Sequence, residues 1–107
     1  MRRFEANPYY SPEKCGLEQM YSLHGEEDYS FDMAVIWRDS DSGKYYFAQD
    51  SGCSCPSPFE DFHSLDDLTE LNADTLYSLK ETAENLYNVD KAEARSFISS
   101  AKHLIND

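Results

Sequence analysis

The apolar residues of this chain change their spacing once, and the change falls at a segment of unusual composition, residues 50–62. Before this segment, apolar residues alternate with polar ones, a period of two that is typical of β-strands. After it they recur every three or four residues, as in helices that bury one face. The fold class predicted from this change is α+β: a three-stranded antiparallel meander, a short helix and a C-terminal helical hairpin, with the helices on one side of the sheet.

Three strands are predicted in the first half, at residues 16–24, 29–38 and 44–49. In the first strand, Leu17 and Leu23 belong to the same alternating set, which places both side chains on one face. The second strand carries apolar residues on both faces near its centre, as a central strand does. Short turns join the three strands, so an antiparallel meander is expected.

Three helices are predicted in the second half. Residues 64–67 resemble a capping box in which aspartate takes the place of Glu or Gln, so a short helix is expected there. Asn72 and Asp90 can cap two longer helices, and the short link between these helices predicts an antiparallel hairpin. The apolar stripes are Leu65, Leu68 and Leu71 in the short helix, Leu76, Leu79, Ala83 and Leu86 in the next, and Ala94, Phe97, Ile98, Ala101, Leu104 and Ile105 in the last.

The length of 107 residues predicts a single domain. Its expected parts are an irregular N-terminal arm (1–14), the β-meander (15–50), a loop that carries the unusual motif (51–63) and a helical part (64–107). No apolar run approaches the ~20 residues that cross a bilayer. The N-terminus lacks the apolar stretch of a secretory signal, and the odd number of cysteines, three, indicates reduced thiols in a cytoplasm.

The net charge of −12 is concentrated in the middle of the chain. Residues 15–79 hold fourteen acidic residues and only two basic ones, Arg38 and Lys44. A field of this sign repels nucleic acid and anionic membranes and favours partners with a basic surface. The alternative interpretation is that the charge serves solubility alone.

The two cysteines of the motif, Cys53 and Cys55, raise the question of a metal. Together with Cys15 and His63 they could supply the four ligands of a tetrahedral structural zinc site. The competing interpretation is that they are small buried thiols in a tight turn, and it is the one we favour. No cofactor is therefore predicted.

Signatures of catalysis are weak. Residues 50–52, Asp-Ser-Gly, could hold a nucleophile, but no G-x-S-x-G elbow accompanies them and the same residues form ordinary turns. There is no glycine-rich loop for phosphate. The chain is predicted not to be an enzyme.

The second part of the motif suggests docking instead. Pro56 and Pro58 stiffen the backbone, so less entropy is lost if the segment binds a partner. We favour the interpretation in which Phe59 and Phe62 both fill the junction between sheet and helices. The alternative is that one of the two rings is exposed as an anchor for a partner beside carboxylates. The predicted protein-binding residues are Asp50, Phe59, Glu60, Asp61, Phe62, Asp66 and Asp67.

Residues 50–62 read DSGCSCPSPFEDF, and they follow an apolar strand at 29–38 and the aromatic run 45–47. In these features the chain resembles a family of small acidic proteins of unknown function encoded by phages of actinobacteria. The resemblance covers roughly residues 20–70. It implies a phage protein made in the cytoplasm of a bacterial host, and it brings no reaction, ligand or catalytic residue.

The sequence thus favours a non-enzymatic protein that binds a host or phage protein with a basic surface, without direct binding to nucleic acid or membrane. One alternative is a nucleic-acid mimic that blocks a DNA-binding protein, since duplex DNA carries a similarly dense negative charge. The other is a structural zinc module that uses Cys53 and Cys55.

Overall fold

The computed structural model of the protein describes residues 3–25, 30–53 and 58–106, with the backbone alone for Cys53. Its elements are strands β1 (Leu17–His24), β2 (Ser30–Asp39), β3 (Tyr45–Cys53) and β4 (Thr69–Glu70), helices α1 (Leu76–Glu84) and α2 (Lys91–Asn106), and two 3-10 helices (Pro12–Cys15 and Leu65–Asp67). The strands form one antiparallel sheet in the order β1-β2-β3-β4. The prediction of a mixed fold with an antiparallel sheet is confirmed.

In the described part of the chain the sheet has four strands, so the prediction of three was wrong. The additional strand β4 pairs with Tyr46 and Phe47 of β3 and lies where helical spacing was seen. Only Leu65–Asp67 make a helical turn, after which Leu68 adopts an extended backbone (φ −98°, ψ 161°). Leu68 and Leu71 then fall on opposite faces of the sheet, because side chains three apart in an extended segment point to opposite sides. Leucines spaced three residues apart are thus compatible with a helix and with an extended strand.

Strand β3 continues further than predicted. Ser51, Gly52 and Cys53, which were assigned to the motif loop, pair with the start of β2. The remaining residues of that loop before Pro58, residues 54–57, lie outside the described part of the chain.

A β-bulge at Met20 corrects the expected orientation of β1. Gln19 pairs with Trp37 and Tyr21 with Ile36, so Met20 is an extra residue in the ladder. An extra residue reverses the side to which the following side chains point. Leu17 and Leu23 therefore lie on opposite faces of the sheet and not on one.

Both faces of the sheet are covered by apolar side chains. On the helix face, Ala34 and Ile36 of β2 pack with Leu23, Phe47, Leu71, Leu79, Ala83, Leu86, Ala94, Phe97 and Ala101. On the other face, Met33, Val35 and Trp37 pack with Cys15, Leu17, Ala48, Phe59 and Leu68. The predicted alternation of β2 is the reason that it serves two cores at once.

The N-terminal arm and residues 58–68 cover the sheet face that lies away from the helices. The indole Nε1 of Trp37 donates to the backbone oxygen of Pro8 at 3.0 Å, in a buried position. The side chain of Asn7 donates to the oxygen of Pro58 at 2.8 Å, and the amide of Phe4 donates to the oxygen of His63 at 2.7 Å. These bonds hold the arm and the loop together as one layer against the sheet.

Candidate functional site

A side chain of β3, that of Asp50, fixes the backbone of the predicted binding segment at Phe59. The carboxylate of Asp50 accepts a hydrogen bond from the backbone amide of Phe59, 2.7 Å away. Phe59 has a positive φ of 61°, which is uncommon for a bulky residue and costs conformational energy. The bond from Phe59 to Asp50 and the burial of its ring offset this cost.

The ring of Phe59 is fully buried, with 0% of its surface exposed. It lies edge-on to Trp37, with 5.3 Å between ring centroids, and edge-on to Phe62 at 5.1 Å. Phe59 is therefore a core residue, as we favoured, but it lies on the sheet face away from the helices and not at the junction between sheet and helices. Its role in binding a protein stays a prediction. Phe62 and Asp50 are half-buried and support this packing.

Four carboxylates of the same segment are exposed. We define the acidic loop as residues 58–67, which contain no lysine or arginine. Its exposed acids are Glu60, Asp61, Asp66 and Asp67. Because Phe59 is buried against the sheet at the start of the loop, the backbone that carries these carboxylates is anchored.

Asp67 fixes the backbone near the C-terminal end of the acidic loop. Its Oδ2 accepts hydrogen bonds from the amides of His63 at 2.7 Å and Ser64 at 3.1 Å. The bond from His63, in the main, lowers the pKa of Asp67, and the charge of Arg3 acts in the same direction. Asp67 thus combines a structural role, the one that the capping-box pattern indicated, with a charge at the surface.

Of the four proposed zinc ligands, the structure describes the side chains of two, Cys15 and His63. The thiol of Cys15 is buried and donates to the oxygen of Ala6, with 3.2 Å between sulfur and oxygen. His63 is exposed. Cys55 and the side chain of Cys53 lie outside the described part. Within that part, no three His, Cys, Asp or Glu side chains form a group that could hold a metal ion.

A polar cleft that sequence reasoning missed lies between the sheet and α1. Its volume is about 430 Å³. It is lined by Asp32, Gln49, Ser78, Glu81, Thr82, Asn85 and Leu86. Asp32 already accepts hydrogen bonds at both oxygens, from Gln49 Nε2 at 2.7 Å and from the amide of Tyr87 at 3.0 Å. Its carboxylate therefore ties the link between the two helices to the sheet, and we assign the cleft no catalytic role.

Neither helix in the three described stretches has the length and apolar character needed to cross a membrane.

Comparison with protein families gives a match. The profile of a family described as a domain of unknown function, DUF7574, matches residues 6–106. No curated protein and no solved structure matches the chain. The expectation of a family of unknown function is confirmed, while an origin in a phage stays a prediction. With the match covering nearly its whole length, the chain belongs to the DUF7574 family.

Proposed function

We propose that this protein is a non-enzymatic binding protein whose acidic loop docks on a basic surface of another protein. The observation that carries the proposal is the set of four exposed carboxylates on a loop held from below by the buried ring of Phe59. Charges arranged in this way steer a partner of opposite sign and set its orientation.

The loop is well prepared for binding because several bonds fix its backbone. Asp50 holds the amide of Phe59, Asp67 holds the amides of His63 and Ser64, and Asn7 holds the oxygen of Pro58. A loop that is already ordered loses less conformational entropy when it meets a partner. The same charges on a free chain would bind more weakly.

Binding is favoured over catalysis by the chemistry of Asp67. General acid–base catalysis at neutral pH needs a pKa near 7. The pKa of Asp67 is shifted in the opposite direction, below its usual value, so this group stays charged. A permanent charge serves electrostatic docking and not proton transfer.

The partner is proposed to be a host or phage protein in the cytoplasm of a bacterium. The support for this setting is the resemblance of residues 50–62 to proteins of actinobacterial phages. The net charge of −12 disfavours direct contact with nucleic acid or an anionic membrane.

The experiment is affinity capture from the bacterial host with three forms of the protein. In the loop variant, Glu60→Lys and Asp61→Lys reverse two exposed charges of the acidic loop. In the control variant, Glu13→Lys and Glu93→Lys reverse two exposed charges elsewhere and change the net charge equally. We expect wild type and control to retain the same partner and the loop variant to lose it.

Two outcomes would count against the proposal. Equal capture by all three forms would show that the acidic loop is not the docking site. Displacement of the captured partner by duplex DNA would instead support mimicry of nucleic acid, because partner and DNA would compete for one surface.

A further inference from the structure

A groove on the solvent side of the helical hairpin has a charge opposite to that of the molecule. Its volume is about 330 Å³. It is lined by Lys80 and Glu84 of α1 and by Lys91, Ala94, Arg95 and Ile98 of α2. Three of these six residues are basic and one is acidic, in a chain that carries only nine lysines and arginines and has a net charge of −12.

The groove combines an apolar floor with a charged rim. Ala94 is buried and Ile98 is half-buried, while Lys80, Lys91 and Arg95 are exposed. The carbon stems of such long basic side chains extend an apolar floor while their charged ends stay in water. The Nζ of Lys91 donates to the backbone oxygen of Glu84 at 2.8 Å, which fixes this cation where the two helices approach each other.

The groove lies on the opposite side of the sheet from the acidic loop. Leu79 and Phe97 bury the inner sides of the two helices against the sheet, so the exposed groove residues face away from it. The acidic loop packs through Phe59 on the other sheet face. The two surfaces are therefore separate in space as well as opposite in charge.

We propose that this groove binds an acidic peptide segment of a partner protein, with an aliphatic side chain on the floor at Ala94 and Ile98. The flanking carboxylates of that segment face Lys80, Lys91 and Arg95. The charge complementarity of the rim selects an acidic segment, and the apolar floor selects one with an aliphatic anchor. The volume is near the lower end of the range for ligand pockets, which suits a short segment.

A peptide fits these features better than a membrane or a nucleic acid. A membrane and a nucleic acid both present an extended surface of dense negative charge. Such a surface would be repelled by the net charge of the whole molecule, −12. A short segment meets only the local charges, because salt screens charges beyond ~8 Å at physiological ionic strength. A side chain can also enter a recess that a flat surface cannot.

The test uses the full-length chain and a fluorescent peptide in which glutamates flank a pair of leucines. Its binding is followed by fluorescence anisotropy. The groove variant is Lys80→Glu with Arg95→Glu, and the matched control is Lys14→Glu with Lys44→Glu, which reverses two exposed lysines outside the groove. Circular dichroism confirms that both variants fold.

We expect the groove variant to bind the peptide about tenfold more weakly than wild type, because two attractions become repulsions. The control variant binds as wild type does, and replacing the leucines by serines weakens binding to all forms. Binding by the Glu60→Lys, Asp61→Lys variant is retained, which separates this site from the acidic loop.

Three results would overturn the proposal. They are equal peptide affinity for the groove and control variants, equal affinity for the leucine and serine peptides, and binding of anionic lipid vesicles that the groove variant abolishes. The last would identify a membrane and not a peptide as the occupant.

Discussion

At the scale of single residues, Phe59 anchors the acidic loop to the sheet through its buried ring. Sequence alone did not reveal its position, because a phenylalanine beside prolines and acids has the same pattern whether it is buried or exposed. The decisive contacts come from Trp37, which belongs to another strand, and from Asp50, which β3 places beside Phe59. The exposed acids of the loop, in contrast, were predictable, since charged residues stay in water unless paired.

Replacement of Phe59 by alanine is expected to destabilise the protein by about 3–5 kcal/mol, the usual cost of emptying a phenylalanine site in a core. Phe62→Ala is the matched control and should cost roughly 1–2 kcal/mol, because its ring is only half-buried. Denaturant unfolding followed by the fluorescence of Trp37, the single tryptophan, measures both. Equal losses for the two variants would show that Phe59 does not anchor the loop.

Asp67 should make the stability of the protein depend on pH. Its pKa is lower in the folded protein than in the unfolded chain, chiefly through the bond from the amide of His63. The stability that the charged Asp67 adds is therefore fully present at pH values above the pKa of the unfolded chain, near 3.8. It is lost as the pH falls through the lower pKa of the folded protein.

We expect Asp67→Asn to be less stable than wild type at pH 7 and the difference to shrink as the pH is lowered below about 4. Urea unfolding of both proteins at a series of pH values measures this. A difference that stays constant over the whole series would rule out the proposed ionic capping of the loop.

At the scale of elements, the sequence predicted the central strand and the helical hairpin well because their periodic patterns are long. The faces of β2 are as expected. The bulge at Met20 and the short strand β4 escaped prediction because each is set by pairing with a neighbouring strand. The basic groove was missed for a similar reason, since α1 and α2 each contribute only part of it.

The link between α1 and α2 lies close to the end of β1, and a glycine makes this approach feasible. A Cβ added at Gly25 would lie 2.1 Å from the backbone oxygen of Tyr87. Tyr87 cannot easily retreat, because its amide donates to Asp32. We therefore expect Gly25→Ala to destabilise the protein by about 1–3 kcal/mol through overpacking.

Thermal unfolding of Gly25→Ala measures this effect, with Ser99→Ala on the exposed side of α2 as a control that should change little. An unchanged melting temperature for Gly25→Ala would mean that the helical hairpin is not packed against this end of the sheet.

At the scale of the whole molecule, the two proposed docking surfaces lie on opposite sides of the sheet. The acidic loop lies on one side and the basic groove on the other. Such a molecule could join a basic partner to an acidic segment of another protein. A net charge of −12 also opposes the compact state through self-repulsion.

Salt should therefore raise the melting temperature of the free protein, because it screens this repulsion. Thermal unfolding in increasing sodium chloride tests the expectation, with sucrose at matched osmolality as a control for effects other than screening. A melting temperature that falls with salt would show that attractive pairs outweigh the repulsion.

Docking through the acidic loop is tested by the affinity for the captured partner, measured by titration calorimetry at several salt concentrations. Wild type should bind more weakly as salt rises, and the Glu60→Lys, Asp61→Lys variant should show both lower affinity and a smaller salt dependence. The Glu13→Lys, Glu93→Lys control should follow wild type. An affinity that is flat with salt and equal in all three proteins would contradict docking through the acidic loop.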